Sequence, residues 1–249
     1  MADFYDELAP LYHLIYADWN ASIQRQAEQL SAIIAARWPA ATKILDVACG
    51  IGTQTIGLAG RGYSLVGSDL SPGAVRRAVC ETSTRGLHVP LSVCDMRAVH
   101  AHHGSGFDVV LCADNSLPHL LTDEEILTAL QQFCACLSVG GGCILTVRDY
   151  AAEERGKNLV KSYGVRQESG ARYLLFQVWD FDGDCYELTF FFVEESLATG
   201  VVRTHVMRSR YYALSTAKLC SLMEQAGFQD VHRLEGGFYQ PVLVGTRCA

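Results

Sequence analysis

The chain has 249 residues, of which 49% are apolar and 19% are charged, and it carries a formal net charge of −7. This length and composition are ordinary for a globular protein with one large α/β domain, with or without an embedded subdomain. Binding to phosphate groups needs a cationic surface. The negative charge and the lack of Lys/Arg runs therefore argue against nucleic acid or an anionic membrane as the main partner.

The N-terminus, MADFYDELAP, is acidic and is unlike a signal or transit peptide. No apolar run approaches the ~20 residues that span a bilayer. The ten cysteines form no C-x-x-C pair, and most lie among apolar neighbours, where a free Cys behaves as a small hydrophobe. We therefore expect a cytoplasmic protein with reduced, buried thiols. His100, His102 and His103 have the spacing of a loop and no acidic partner pattern, so we expect no metal site.

Helices and strands alternate through the first 150 residues. Apolar side chains at helical spacing predict helices over 3–19, with a break at Pro10, and over 21–37. KILDVA, residues 43–48, is a short continuous apolar run, which is typical of a parallel strand buried on both faces. The elements predicted after it are helix 53–61, strand 63–69, helix 72–85, strands 90–95 and 107–114, helix 122–137 and strand 141–150. Ser71 is the candidate N-cap of the helix at 72, and Thr122 with Glu125 three residues on forms a capping box. This alternation predicts an α/β fold with a doubly wound, Rossmann-like sheet.

The rhythm changes after residue 150. Three strand-like segments joined by DGD and ATG turns predict an antiparallel β-meander, at 172–181, 185–194 and 201–212. A helix over 215–226 and a final antiparallel hairpin follow, and the hairpin is expected to complete a seven-stranded sheet with strands at 228–234 and 240–247. The predicted organisation is an N-terminal helical lid, a Rossmann-like core, the meander insertion and a C-terminal part that completes the core, with bounds 1–38, 39–150, 151–212 and 213–249.

The stretch ILDVACGIGTQT, residues 44–55, follows the pattern of a ligand-binding loop between a strand and a helix. Gly50 and Gly52 are two residues apart, but Thr55 stands where a dinucleotide fingerprint has its third glycine. Asp46 at the strand end would repel a pyrophosphate, yet it could reach an ammonium directly or through water. The pattern therefore favours a nucleoside with a cationic amino-acid tail, such as S-adenosylmethionine. The alternative for Asp46 is a residue that caps the loop.

Two further strand ends carry acids. Asp69 comes 19 residues after Gly50, where a carboxylate can accept hydrogen bonds from both ribose hydroxyls. Asp95 and Met96 follow the next strand, where an acid can bond an adenine amino group while an apolar side chain packs on the ring. The alternative for Met96 is plain core packing. Each signal alone is weak, but random strand ends would not carry all of them in this order.

The stretches ILDVACGIGTQT, GSDLS, CDMR and FDVVLCAD, taken together, resemble the class I S-adenosylmethionine-dependent methyltransferases over about residues 40–150. CADNSLPHL, GGCILTVRDY and MRSRYYAL resemble stretches of the glycine and sarcosine N-methyltransferases. This narrower resemblance implies that Asn115 contacts the substrate amino acid and that Arg148 binds its carboxylate. It also implies hydroxyls from Tyr211 and Tyr212 near the substrate carboxylate or the sulfonium.

The same resemblance implies that the N-terminal helix covers the cofactor, with Tyr12 or Tyr16 against it. The family's N-terminal Arg, which meets the methionine carboxylate, has no clean match here, and Arg25 is the nearest candidate. The family usually has Gly before the Asn-Ser pair, and this chain has Asp114. The residues expected at the cofactor are Tyr12, Tyr16, Arg25, Asp46, Ala48, Cys49, Gly50, Gly52, Asp69, Leu70, Asp95, Met96 and Ala113.

Several residues keep two interpretations. His119 is a candidate base for a hydroxyl substrate, or it packs on the loop after the fourth strand. Arg148 holds a substrate carboxylate, or it pairs with a surface acid such as Asp149. The aromatic side chains of the meander line a pocket that favours a methylated ammonium, or they form the face of a sheet on its core, at Trp179, Tyr186, Phe190, Phe191 and Phe192.

The expected function is transfer of a methyl group from S-adenosylmethionine to the amine of a small amino acid such as glycine or sarcosine. Two alternatives stay open: methylation of a hydroxyl, carboxylate or other small-molecule amine, and a non-catalytic methyltransferase-like subunit. The expected partners are a small-molecule acceptor and a possible second copy of the chain, without nucleic acid or membrane. A dehydrogenase is disfavoured by Thr55.

Overall fold

The computed structural model describes residues 2–248. The strands are β1 (Lys43–Asp46), β2 (Ser64–Asp69), β3 (Leu91–Val93), β4 (Phe107–Cys112), β5 (Leu137–Thr146), β6 (Leu159–Glu168), β7 (Ala171–Asp182), β8 (Cys185–Ser196), β9 (Val202–Tyr212), β10 (Phe228–Leu234) and β11 (Val242–Arg247). The α-helices are α1 (Ala2–Leu8), α2 (Trp19–Arg37), α3 (Thr53–Ala59), α4 (Pro72–Thr84), α5 (Val99–His103), α6 (Asp123–Cys136) and α7 (Thr216–Gln225). Short 3₁₀ turns cover Tyr12–Ile15, Met96–Ala98 and Leu117–His119.

Seven strands form one mixed sheet in the order β10-β11-β5-β4-β1-β2-β3. The strands β1 to β5 pair in parallel, whereas β11 runs antiparallel to β5 and β10 antiparallel to β11. The order reverses between β1 and β4, and ligands bind at such a switch point, beyond the carboxyl ends of the strands. The predicted Rossmann-like sheet with its final hairpin is confirmed.

The second sheet is antiparallel, in the order β6-β7-β8-β9. Its inner face packs against residues 2–16, which we call the N-terminal segment. The shared cluster contains Phe4, Leu8, Leu14, Trp179 and Phe190. This packing holds the N-terminal segment over the carboxyl ends of the large sheet. The predicted meander is therefore confirmed, with one more strand than the sequence indicated.

The differences from the predicted elements have local causes. The missed strand β6 is an edge strand with exposed apolar residues at Val160 and Val165, so its pattern lacks a buried face. The strand expected over 141–150 begins and ends four residues earlier, as β5. Helix α5 covers the three histidines that we expected in a loop. The helix expected over 3–19 is split into α1 and a 3₁₀ turn after Pro10.

Side-chain caps begin the helices as predicted. Ser71 Oγ accepts from the N–H of Ala74 at the start of α4. Thr122 Oγ1 accepts from the N–H of Glu125, while Glu125 Oε2 accepts from the N–H of Leu121 at the start of α6. In residues 2–248 no helix is both long and apolar enough to cross a membrane. All ten cysteines are free thiols, and five are buried, whereas Cys80 and Cys248 are exposed, contrary to the expectation of uniform burial.

Candidate active site

Two adjoining cavities lie at the carboxyl ends of the parallel strands. The first, which we call the loop cavity, has an empty volume of about 760 Å³. The second, the meander cavity, has about 480 Å³ and is bounded by the N-terminal segment and the inner face of the second sheet. Both are lined by Tyr5, Tyr12 and Asp114. These three residues therefore mark the junction of the two cavities.

The loop between β1 and α3 forms one wall of the loop cavity. Gly50 and Gly52 adopt positive φ values of 52° and 96°, which L side chains rarely take. A Cβ at Gly50 would also lie 3.4 Å from the Tyr12 ring. The glycines thus let the backbone turn sharply and let Tyr12 approach the loop from the N-terminal segment.

Asp69 joins the end of β2 to this loop. Its Oδ2 accepts from the N–H of Gly50 and its Oδ1 from the N–H of Ser71, both at 2.9 Å. Burial raises the pKa of Asp69, and these two hydrogen bonds partly oppose that shift. A carboxylate offers about four lone-pair sites, so two remain for a ligand in the loop cavity.

Asp95 lies on the opposite wall with its carboxylate already engaged. Its Oδ2 accepts from Arg97 Nη2 at 2.6 Å, and Arg97 Nη1 donates to Glu125 at 2.6 Å. The bonds from Arg97 hold the pKa of Asp95 below its ordinary value. Met96 lines the cavity beside it. An adenine amino group predicted at Asp95 would share that carboxylate with Arg97.

Asp46 lies behind the loop and does not line the loop cavity. It is 1% exposed; its Oδ2 accepts from Thr55 Oγ1 at 2.7 Å and its Oδ1 from the N–H of Ala48 at 3.3 Å. Thr55, which replaces the third glycine, therefore supplies a donor to a buried carboxylate. This arrangement matches the loop-capping interpretation, and contact of Asp46 with a cofactor ammonium stays a prediction.

Burial raises the pKa of Asp46 to about 7. The folded state then binds more protons than the unfolded state between about pH 4 and pH 7, so the stability contributed by Asp46 falls as pH rises through that window. We compare the unfolding free energy of Asp46→Asn with that of wild type at two pH values. The difference, variant minus wild type, should be more positive at pH 8 than at pH 5, by roughly 3 kcal/mol at most. Urea unfolding at both pH values measures this.

Asp108→Asn is the matched control, because the pKa of Asp108 is lowered rather than raised. Burial acts to raise this pKa, but hydrogen bonds from the backbone N–H groups of Thr42 and Lys43 and from the Thr42 hydroxyl outweigh it. Its difference from wild type should stay constant over the same range. A constant difference for Asp46→Asn as well would contradict a raised pKa at Asp46.

His119 is buried where the loop cavity meets the second sheet. Its Nε2 lies 2.7 Å from Tyr5 Oη and its Nδ1 lies 3.3 Å from Ser209 Oγ. The ring centroid is 4.0 Å from that of Tyr211. Burial lowers the pKa of His119 to about 3, so the ring is neutral at physiological pH and is a weak base.

Arg148 lines the meander cavity just beyond the end of β5. Its guanidinium carbon lies 4.6 Å from the centroid of Trp179. Asp149 binds Arg233 instead, at 2.8 Å, so the interpretation that Arg148 pairs with Asp149 is wrong. Within the part of the chain that the structure describes, no carboxylate forms an ion pair with Arg148. Its charge is open to a ligand in the cavity.

Asn115 fixes the backbone that carries Arg148. Its Oδ1 accepts from the N–H of Arg148 at 2.9 Å, and its Nδ2 donates to Tyr150 Oη at 2.8 Å. Tyr150 Oη in turn lies 3.1 Å from Tyr186 Oη in the cavity wall. Asp114 and Asn115 have φ values of 57° and 62°, a conformation that Asp and Asn tolerate better than most residues. Asp114 therefore takes a backbone conformation that Gly also adopts readily.

The N-terminal segment is tied to both parts of the molecule. Asp6 Oδ1 accepts from Ser71 Oγ and from the N–H of Gly73, both at 2.6 Å, at the start of α4. His13 Nε2 lies 2.7 Å from Glu168 Oε2 on β6. These contacts close the segment over the junction of the cavities.

The cavities bring together most of the predicted site residues. The loop cavity is lined by Tyr12, Tyr16, Ala48, Cys49, Gly50, Asp69, Leu70, Asp95, Met96 and His119. The meander cavity is lined by Tyr12, Asn115, Arg148 and Tyr211, and by the meander aromatics Tyr186 and Phe190. Gly52 and Ala113 belong to neither lining. Trp179 and Phe192 lie in the core, and Phe191 stacks on Phe176 at 4.8 Å.

Two further predicted site residues, Tyr212 and Arg25, lie on other faces of the molecule, away from both cavities. Tyr212 follows Tyr211 in β9, and adjacent strand residues point to opposite faces, so both cannot face the cavity. Tyr212 Oη donates to Asp123 at 2.7 Å instead. Arg25 is on the exposed face of α2, where it donates to Ser22 Oγ at 3.0 Å and borders a separate groove. Both predictions are corrected.

Sequence reasoning missed other lining residues. Tyr5 lies within the predicted lid but is not among the predicted site residues, although it lines both cavities. Tyr163 lines the meander cavity from strand β6, which was not predicted. Gln177 is buried between apolar residues of β7, and a polar residue on the buried face of a strand was an available signal. In residues 2–248 no three His, Cys, Asp or Glu side chains are placed to hold a metal ion.

Comparison with known proteins agrees with this geometry. Residues 44–141 match the family model of a methyltransferase domain. The chain is 28% identical over 222 residues to a glycine/sarcosine N-methyltransferase of Parasynechococcus marenigrum (strain WH8102), with 86% of this chain and 72% of the relative covered. It is 32% identical over 134 residues to a dTDP-3-amino-3,6-dideoxy-alpha-D-glucopyranose N,N-dimethyltransferase of Streptomyces fradiae, with 54% of this chain and 50% of the relative covered.

A solved structure extends the likeness to the whole fold. The S-adenosylmethionine-bound structure of CalS10, an amino pentose methyltransferase from Micromonospora echinaspora involved in calicheamicin biosynthesis, matches with a TM-score of 0.78. The match covers 91% of this chain and 92% of that chain at 22% identity.

The sheet order places the two cavities at the switch point of a Rossmann-like fold, where folds of this kind bind their ligands. With the matches above, the protein is an S-adenosylmethionine-dependent methyltransferase, as the sequence predicted. The loop cavity suits the positive charge of that cofactor, since its lining includes Asp69 and Asp95, whereas Arg97 in the same lining is paired with Asp95 and Glu125.

Proposed function

We propose that the protein methylates the amine of a small amino acid, with glycine and sarcosine as the first candidates. The observation that carries this proposal is Arg148, a cation in the wall of the meander cavity without a carboxylate partner among residues 2–248. Arg binds a carboxylate through two parallel hydrogen bonds, which would fix the direction of the attached amine. The name of the first relative supports the same substrate class.

In this proposal the loop cavity holds the cofactor and the meander cavity holds the acceptor. Asp69 accepts from ribose hydroxyls, and Met96 packs on the adenine ring. When bound, S-adenosylmethionine supplies a methyl group on a cationic sulfur, so the neutral amine nitrogen forms a C–N bond while the S–CH₃ bond breaks and sulfur keeps the electron pair. The protein's task is then alignment across the junction, because an in-line displacement gains most from positioning.

Asn115 and the tyrosines take part as positioning groups. Asn115 holds the backbone of Arg148, and the Tyr150–Tyr186 pair fixes the cavity wall beside it. Tyr211 stacks on Tyr186 at 5.3 Å and on His119, which makes the wall rigid. The low pKa of His119 disfavours a reaction that needs it as the base for a hydroxyl acceptor.

An amino sugar is the second candidate acceptor. The lining of the meander cavity includes Asn115 and Gln177 beside Arg148, so polar groups for sugar hydroxyls are present next to the cation. The second relative is named as a methyltransferase of an amino sugar nucleotide.

Turnover of glycine, sarcosine, glycinamide and a dTDP-3-amino sugar, followed by mass spectrometry, tests this proposal. Glycinamide keeps the amine but lacks the carboxylate, so we expect it to be methylated far more slowly than glycine. Equal rates for glycine and glycinamide would contradict recognition of a carboxylate. Turnover of the amino sugar alone would establish the second candidate.

A further inference from the structure

Asp114 stands at the junction of the two cavities, and both oxygens of its carboxylate accept hydrogen bonds. Tyr16 Oη donates to Oδ2 at 2.8 Å, Tyr239 Oη donates to Oδ1 at 2.6 Å and Gln240 Nε2 lies 3.5 Å from Oδ1. The backbone N–H of Asp114 donates to Thr146 Oγ1 at 2.8 Å. These donors come from the N-terminal segment and from the loop before β11, so the carboxylate is fixed between them.

The meander cavity is lined by one acidic and one basic side chain, Asp114 and Arg148. Asp114 is shared with the loop cavity, whereas Arg148 lines the meander cavity alone. The two side chains do not pair with each other in the described residues, although they belong to neighbouring loops. An anion at the junction and a cation away from it match a zwitterion whose amine points toward the cofactor and whose carboxylate points away.

We propose that Asp114 receives the amine of the acceptor and selects acceptors that carry an amine and a carboxylate together. This inference rests on the proposed function and assigns the second end of its substrate. The ammonium binds to the carboxylate first, one proton then leaves to solvent, and a remaining N–H bond stays on Asp114. The nitrogen lone pair lies on the side away from that N–H bond, where the junction opens to the loop cavity.

The first test is Asp114→Asn, because Asn tolerates the left-handed backbone of this position and removes the charge. The change also replaces one acceptor oxygen by an NH₂ donor, to which a tyrosine hydroxyl can turn its oxygen. Hydrogen bonds to charged groups are the strong ones, so we expect the acceptor KM to rise roughly 10- to 100-fold. The dissociation constant for S-adenosylhomocysteine should change less than about threefold. Tyr239→Phe keeps the carboxylate and removes one of its donors, and it should change the acceptor KM less than about threefold.

Three results would overturn the assignment. An unchanged acceptor KM in Asp114→Asn would show that the amine does not depend on this charge. An equal loss of S-adenosylhomocysteine binding would make Asp114 a cofactor residue. A rise of the acceptor KM in Tyr239→Phe equal to that in Asp114→Asn would show that Asp114 acts only as a structural contact of the N-terminal segment.

Two probes separate this inference from the proposed function. Ligand-observed NMR on protein saturated with S-adenosylhomocysteine should detect methylammonium with wild type and with Arg148→Gln, but not with Asp114→Asn. Acetate should bind wild type and Asp114→Asn, but not Arg148→Gln. Failure of the methylammonium arm alone overturns the role of Asp114, whereas failure of the acetate arm alone overturns carboxylate binding at Arg148.

Discussion

Replacing Arg148 with Gln raises the KM for glycine by about two orders of magnitude and leaves S-adenosylhomocysteine binding unchanged: this is the largest effect that we expect at the acceptor site. Loss of one partner of a buried, hydrogen-bonded charge pair costs about 2–5 kcal/mol, which is the physical reason for that size. Arg148 lines only the meander cavity, so the cofactor should not sense the change. Steady-state kinetics and calorimetric titration measure the two quantities.

Lys161 offers a matched control for this experiment. Its Nζ lies 5.0 Å from the centroid of the same Trp179, but it is paired with Glu153 at 2.7 Å and lines neither cavity. Lys161→Met therefore removes a cation from that ring without touching the acceptor, and KM should stay within about twofold. Arg148→Lys should fall between wild type and Arg148→Gln, since it keeps the charge and loses the planar fork. Equal KM values for all variants would refute the carboxylate site.

The second large effect concerns the cofactor. Asp69→Ala should weaken S-adenosylhomocysteine binding by at least about 100-fold, because each hydrogen bond to a charged group contributes about 1.5–3 kcal/mol and two ribose hydroxyls are expected there. The same change also releases the N–H groups of Gly50 and Ser71, which Asp69 now holds. Calorimetric titration of S-adenosylhomocysteine gives the affinity, and thermal unfolding gives the stability of the variant.

Asp108→Ala separates the two consequences. Asp108 Oδ2 also accepts from two backbone N–H groups, those of Thr42 and Lys43, at 2.8 and 2.9 Å, but at the start of β1 and outside both cavities. It should lower the melting temperature and keep the affinity. If both variants weaken binding equally, Asp69 acts only through the stability of the fold.

The fold was largely predictable because parallel strands read as short apolar runs and because the helix caps are local. Ser71 and Thr122 cap their helices as expected, and the DGD turn joins β7 to β8. Edge strand β6 was not predictable from the same signal, since Val160 and Val165 face solvent and its inner face, with Leu159 and Tyr163, is only partly buried. The sequence also does not show which face of a strand is buried. Tyr211 and Tyr212 are adjacent and of the same type, so only the structure shows which of them points toward the cavity.

The site was predictable where one motif fixes one backbone position. Gly50 and Asp69 were both predicted at the cofactor, and in the structure both line the loop cavity, where they are hydrogen-bonded to each other. Contacts between distant segments were not: Asp114 meets Tyr239 across 125 residues, and Tyr5 meets His119 across 114 residues. Such pairs depend on the closure of the N-terminal segment over the sheet, which no local pattern encodes.

The central claim, methyl transfer to an amine whose molecule also bears a carboxylate, is tested most directly with S-adenosylmethionine that carries a trideuterated methyl group. The protein is incubated with this cofactor and with glycine, sarcosine and an amino sugar, and tandem mass spectrometry locates the label. We expect the label on the nitrogen of an acceptor that also bears a carboxylate. A label on oxygen, on an amine without a carboxylate, or on no acceptor while S-adenosylhomocysteine still binds would contradict it.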